Sequence, residues 1–431
     1  MKFIRIAAGI YLLVMIVFVW GYLSGRNSFF PGIFIEDAVE EIDAFIDGGK
    51  DSDKSLVDLI TMHPLVRKSD FPYQGFNQVD RSFTDTGYLL VPRYEPNADQ
   101  SIVELIRLAD FSVVHTWVPP VEDIIEMAGR DIYNGSRERY YAQHPLMLSD
   151  GSIVFNSGWG PLVRIDRDSK ILWMTNFDVH HSIELDINGN IVVPLMSYYF
   201  IKYEDGTQHK IRNDKFGVLN QEGEVLERYD VEEILLTNGF RGIYLGIGNL
   251  QSDRMHLNDV QPILKNNGSA QVGDFALSLR NLSTVLLYRP SENRIIWLKT
   301  GPWLYQHDVD QLEDGSFSIF GNDIFRRESK VLPANNISQV YIYTPETDQV
   351  SIPYDMTIKQ AKMQSNTEGR STILENGDVF IEETNKNRLM RLGKDQVRWY
   401  YANMISEDTS GSIHWSRYLP GDSPSLLWLE E

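Results

Sequence analysis

The stretch QHDVDQLEDGSFSIFGND, residues 306–323, has the form of a β-hairpin. Val309 and Leu312 lead into a Glu-Asp-Gly turn, and Phe317, Ile319 and Phe320 lead out of it. The same cadence recurs. HHSIELDINGNIVVP (180–194) is followed by FGVLNQEGEVLERYD (216–230), and HPLMLSDGSIVFN (144–156) by PLVRIDRDSKILWMTN (161–176). HLNDVQPILKNNGSAQVGDFALSLR (256–280) precedes STVLLYRPSENRIIWLK (283–299), and GRSTILENGDVFIEE (369–383) precedes NRLMRLGKDQVRWYYAN (387–403). The opening stretch itself leads to SQVYIYTPETDQVSIPYD (338–355). FNQVDRSFTDTGYLLVPRY (76–94) with SIVELIRLADFSVVHTW (101–117) is a weaker copy.

Paired hairpins of this kind, each unit roughly 40–60 residues long, are the pattern of β-propeller blades. Six units predict an all-β, six-bladed β-propeller over residues 71–431, with HWSRYLPGDSPSLLWLE (414–430) closing the first blade. A pair of β-sandwiches is the competing architecture, and it explains the regular recurrence less well.

Residues 1–26 carry a different signal. Ile6–Leu23 is uncharged and about 18 residues long, near the lower limit for spanning a bilayer, and Lys2 and Arg5 precede it. We expect an N-terminal transmembrane signal anchor with a cytoplasmic stub, and residues 27–70 as a short helical stalk. The alternative is a cleaved signal peptide. The expected product is a single-pass inner-membrane protein with a periplasmic, extracytoplasmic domain.

Composition narrows the chemistry. The net charge of −20 argues against nucleic acid and against adhesion to an anionic membrane surface. The absence of cysteine excludes disulfides, thiolate metal sites and cysteine nucleophiles. An anionic substrate would need a locally positive site.

The nine histidines supply the candidates. His181 and His307 stand at the same distance before Gly189 and Gly315, His144 is one residue out of phase, and His256 opens its unit further from Gly268. Any one of them alone reads as an ordinary rim residue. Matching positions in successive blades converge on the axis, so a shared site is the simpler account. A metal is one candidate occupant. Arg280, at the end of its unit's second strand, disfavours a metal and suits an anionic ester, so we expect no metal and no cofactor.

These motifs, in this order and over roughly residues 140–405, resemble the arylsulfate sulfotransferase family. The resemblance implies a six-bladed propeller outside the cytoplasm that moves a sulfuryl group from a phenolic sulfate to a phenol, without the nucleotide sulfate donor. It implies His307 as the transiently sulfated nucleophile, with His181, His256 and Arg280 completing the catalytic set and Asn258 beside them. His144 and Tyr305 join Asn258 as candidate substrate-binding residues. The chain departs from the family at Ser182, where aspartate is frequent, in lacking a disulfide, and in residues 24–70.

The chemistry fits that set, because sulfuryl transfer is mostly in-line positioning and charge stabilisation. A neutral imidazole is a competent nucleophile, and a second histidine could exchange protons with the phenols. Strand alternation turns Asp308 away from His307 and His180 away from His181, which favours a structural role for Asp308. Trp303 and Tyr305 could stack on a phenol, with core packing the commoner role for such residues. The main alternative function is a non-catalytic envelope propeller that binds a protein or glycan, with MSYYFIKYEDGTQHKIRNDK (196–215) as its recognition loop. A metal-dependent hydrolase is the third.

Overall fold

The structure is a computed structural model. It describes residues 62–430, apart from 130–132, 134, 205, 247–251, 328–329 and 335–336. Contacts divide the chain into two compact units, Met62–Phe325 with Pro333–Glu431, and Met1–Thr61 with Arg326–Leu332. The first unit carries everything below. The expected anchor, Ile6–Leu23, lies outside the described residues, and among the described residues no helix is long and apolar enough to cross a membrane. Most of the expected stalk also lies outside them. Its described end is not helical, because Val66–Lys68 is a strand paired with Thr409–Gly411.

Alternating apolar residues and tight Asp-Gly and Asn-Gly turns fold the chain into antiparallel meanders, giving an all-β, propeller-like architecture. One sheet runs Leu257–Pro262, Phe275–Leu279, Thr284–Arg289, Arg294–Thr300, and the next Asp308–Gln311, Phe317–Gly321, Gln339–Thr344, Gln349–Ser351. A five-stranded sheet places Arg370–Ile373, Val379–Glu383, Arg388–Leu392 and Val397–Ala402 in order and adds Gly75–Gln78 at its edge. An eight-stranded sheet contains two such meanders, residues 143–179 and 184–230, joined through the single pair Leu195↔Val179. In a further four-stranded sheet, Arg417–Leu419 pairs with Tyr88–Glu95, so the C-terminal segment completes the first unit as its sequence suggested. The weaker first copy is split: its opening, Gly75–Gln78, pairs with Val397–Ala402 of another sheet.

Each meander has two apolar faces that only its neighbours can bury. Val285 and Leu287 therefore pack with Val309, Phe317 and Ile319 of the next sheet. Phe320 and Val340 pack in turn with Ile381 and Met390, and Phe380 and Trp399 with Leu89 and Ile106 of the first sheet. At about 1.5–3 kcal/mol per fully buried large apolar side chain, these shared cores hold the sheets together.

Polar latches reinforce the cores at one matching position of successive inner strands. Ile183 N–H donates to His144 Nδ1 at 2.9 Å, and Val260 N–H to Ser182 Oγ at 3.1 Å. Val309 N–H donates to Asp259 Oδ2 and Ser371 N–H to Asp308 Oδ2, both at 2.8 Å. Asp308 is thus a latch between sheets, the structural role its strand position favoured. Ser182, the departure from the family's aspartate, makes the same kind of bond.

Candidate active site

The backbone turns through the left-handed region where each inner strand begins: His144 (φ 48), His181 (φ 60), His256 (φ 55), Tyr305 (φ 52), Glu368 (φ 60) and Trp415 (φ 59). Such backbone costs of order 1–3 kcal/mol per residue and concentrates at functional sites. It also breaks strand alternation. His180 accordingly does not point away from His181: the rings stand at 5.1 Å, nearly perpendicular, with their Nδ1 atoms 3.0 Å apart.

Three of the candidate histidines come together. The His181 ring lies 5.2 Å from His256 and 6.0 Å from His307, and all three are buried. Trp415 closes one side, 5.7 Å from His181 and 6.5 Å from His307. Trp159 covers another side, 6.0 Å from His181 and 6.1 Å from His256. Arg280 follows the strand Phe275–Leu279, its N–H bonded to the His256 carbonyl at 3.2 Å. Its positive charge acts on His307, His256, His181 and His180.

Burial, and then Arg280, push the His307 imidazole down to about 3. Burial holds His180, His181 and His256 well below their usual range, helped by neighbouring arginines and by one another. These rings are neutral at pH 7, with one proton each, so their hydrogen bonds decide where that proton sits.

At His307, Nδ1 meets two acceptors, Asn322 Oδ1 at 2.6 Å and the Tyr305 carbonyl at 3.2 Å. The Asn322 amide is fixed, because Nδ2 donates to the carbonyls of Ser365 at 2.7 Å and Glu368 at 2.6 Å. The His307 proton therefore sits on Nδ1 and the lone pair on Nε2, where the Glu368 N–H donates to it at 3.2 Å. His256 shows the same order. Its Nδ1 donates to Asp253, while Nε2 is buried with no hydrogen-bond partner among the described residues. Arg212 Nη1 lies 3.2 Å from that Nδ1 and 3.7 Å from the Asp253 carboxylate. Two donors cannot bond each other, so Arg212 pairs there with Asp253.

Asn258 is fully buried and donates through Nδ2 to the Gln306 carbonyl at 2.8 Å, bracing the residue before His307. Its Oδ1, unpartnered among the described residues, is an acceptor and suits a hydroxyl better than a sulfuryl oxygen. Tyr305 is half-buried and enters through its carbonyl. Trp303 is core, 6.0 Å from both Tyr341 and Tyr343.

His144 has a different neighbourhood. It latches Ile183, contacts Arg370, and lies 3.4 Å from Glu184, with Trp415 at 5.1 Å. Among the described residues no group of three or more His, Asp or Glu side chains is arranged to hold a metal ion.

Sequence reasoning missed Arg212, Trp159, Asn322, Glu368 and Trp415. Arg212 lies in the supposed recognition loop, which is instead a continuous hairpin paired from Ile191↔Leu219 to Lys202↔Gln208. A hairpin with apolar residues at both stems could have been read there. Nothing in sequence shows that Arg212 turns inward.

The family model described as arylsulfotransferase (ASST) matches residues 144–403. No curated protein matches the chain. Among solved structures, a streptogramin B lyase is similar at 10% identity and a TM-score of 0.36, covering 76% of this chain and 96% of its own. A catalytically inactive virginiamycin B lyase from Staphylococcus aureus with quinupristin is similar at 11% identity and a TM-score of 0.38, covering 80% and 98%. A Swd1 β-propeller domain from Myceliophteria thermophila gives 11% identity and a TM-score of 0.40 over 74% and 87%. These likenesses carry no argument about function.

Proposed function

The chain belongs to the arylsulfotransferase family, and we propose that it transfers a sulfuryl group between phenols by a ping-pong route through sulfated His307, without a nucleotide donor. The observation that carries this reading is the His307 tautomer. A neutral ring with Nδ1 committed to Asn322 and Tyr305 carries its lone pair on Nε2, which becomes a nucleophile once the substrate sulfur replaces the Glu368 N–H that it accepts in this structure.

In the first half-reaction His307 Nε2 attacks sulfur, the S–N bond forms and the S–O(aryl) bond breaks, releasing a phenolate. Arg280 balances the charge on the sulfuryl oxygens. In the second, the acceptor phenol's oxygen attacks sulfur while its proton passes to His256 Nε2. The S–N bond breaks and its electrons return to His307. Asp253 stabilises the imidazolium formed on His256, which passes its proton to solvent. Asn258 Oδ1 can accept a bond from the entering hydroxyl.

The ring is read as six blades, the eight-stranded sheet counting as two. The left-handed turns at the heads of the inner strands and the cyclic order of shared cores support that count. The reading extends to Ile6–Leu23 as an anchor holding the domain outside the cytoplasm, which protease accessibility in intact cells would test.

The functional test uses the purified full chain with an aryl sulfate. A phenol-dependent release of the donor phenol, with a sulfate adduct on the peptide containing His307, is expected. Unchanged turnover in His307→Ala would overturn it.

A further inference from the structure

Arg212 sits on the hairpin strand Gln208–Leu219, yet its guanidinium is buried beside the imidazoles. Its Nε donates to Asp214 Oδ1 at 2.7 Å, and Asp214 Oδ2 also accepts the His256 backbone N–H at 3.0 Å. The guanidinium lies 4.9 Å from the Trp159 ring centre. Four anchors therefore hold it: Asp214, Asp253, Trp159 and the ring of His180. Its Nη2 is 3.1 Å from His180 Nε2.

A guanidinium is always protonated and only donates. His180 Nε2 facing it must offer a lone pair, so the single proton of neutral His180 sits on Nδ1. That Nδ1 is 3.0 Å from His181 Nδ1, which must accept. The single proton of His181 is thereby driven to Nε2. We propose that Arg212, acting through His180, is a positioning residue that fixes His181 as the Nε2–H tautomer, making it a hydrogen-bond donor to the sulfuryl oxygens. The donor role rests on the sulfotransferase reading, whereas the tautomer assignment stands without it.

The arrangement resolves a chemical difficulty. Two neighbouring imidazoles in one site must do opposite things, His307 offering a lone pair and His181 offering a proton. In water a neutral imidazole interconverts freely between tautomers. Here acceptors face Nδ1 of His307, and a donor chain ending in Arg212 faces Nδ1 of His181. A histidine in the wrong tautomer would set its lone pair against a sulfuryl oxygen, a repulsion where a bond is needed. The low proton affinity of the buried pair keeps each ring at one proton, and Arg212 facing Nε2 leaves Nδ1 as the place for the proton of His180.

The test is spectroscopic first. In the full chain with 15N-labelled histidine, long-range nitrogen–proton correlations should show His181 protonated at Nε2 and His180 at Nδ1. Protonation of His181 at Nδ1 overturns the proposal without any variant. His180→Gln keeps both functions, since its amide oxygen accepts from Arg212 and its amide N–H donates to His181. It should preserve the His181 signature and hold kcat/KM within about threefold of wild type. His180→Leu removes the relay and should give a tautomer mixture and a fall in kcat/KM of roughly 10- to 100-fold. Equal activity of the Leu and Gln variants would overturn it. An Nε2–H signature in a protein that transfers no sulfate would instead sink the sulfotransferase reading and leave the relay intact.

Discussion

The inner strands carry two buried polar clusters, and they are built on opposite principles. One is the set of neutral imidazoles where the strands begin. The other lies further along, where Glu184, Asp310, Arg370 and Arg417 line a cavity of about 250 Å³ together with Gln261 and Thr372. Arg417 meets Glu184 at 3.0 Å, and Arg370 lies 3.9 Å from Asp308. Burial and the neighbouring carboxylates push Asp259 and Asp310 well above their usual range, and burial raises Asp308 to about 6. Charges taken from water must be paired, and here the pairs tie strands of different sheets to one another. In the imidazole cluster, His256 Nε2 has no hydrogen-bond partner among the described residues, and a lone pair so placed is where chemistry can occur. The contrast separates residues that close the ring from residues that act in it.

His307→Ala should break the active cluster alone. Transfer should fall by more than about a thousandfold, read as chromogenic phenol release, while urea unfolding loses only about 1–3 kcal/mol for the buried partners left unmatched. Arg370→Met should do the reverse, leaving Asp308 unpaired and costing about 3–5 kcal/mol in urea unfolding. Residual folded protein should still form the sulfate adduct.

Acid should separate the clusters by sign. The folded state depresses the imidazoles, so their contribution to stability is present above the usual histidine value of 6.5 and is lost as pH falls. His307 alone, at about 3 when folded, should cost about 1.4 kcal/mol for each pH unit below that value. Asp308 is raised from 3.8 to about 6, so it is destabilising above pH 6 and that cost is relieved as pH falls toward 4. Between pH 7 and 5, urea stability of His307→Gln should therefore change relative to wild type in the favourable direction by roughly one proton's worth, the variant losing less or gaining more as pH falls. An unchanged slope would contradict the buried, neutral assignment. The smallest effect belongs to His144→Gln, which keeps an acceptor for Ile183 and should alter kcat/KM by less than about threefold. A larger loss would move His144 into the active cluster.

These two clusters also show what was legible in the chain. Turn punctuation and alternation revealed the repeated hairpins, and the spacing of His181 and His307 to Gly189 and Gly315 put both at matching inner-strand positions. The six-bladed count itself rests on the proposed reading of the eight-stranded sheet. Asp308 was legible because its role follows from strand geometry. His180 was misread because alternation fails at a left-handed residue, and no local signal marks a non-glycine residue for that conformation. Arg212 and Trp159 reach the site through tertiary packing from another strand and a loop, and nothing near them in sequence distinguishes them from surface residues. The stalk failed at Val66–Lys68 because its pairing partner, Thr409–Gly411, lies far along the chain.

The strand Arg417–Leu419 closes the first sheet against Tyr88–Glu95, and just ahead of it stand His414 and Trp415. The strand that closes the first sheet and the indole that walls His181 and His307 thus lie on one short run of chain, residues 415–419. Closing the sheet edge and walling the imidazoles are therefore one event, and a change that frees this segment opens both together.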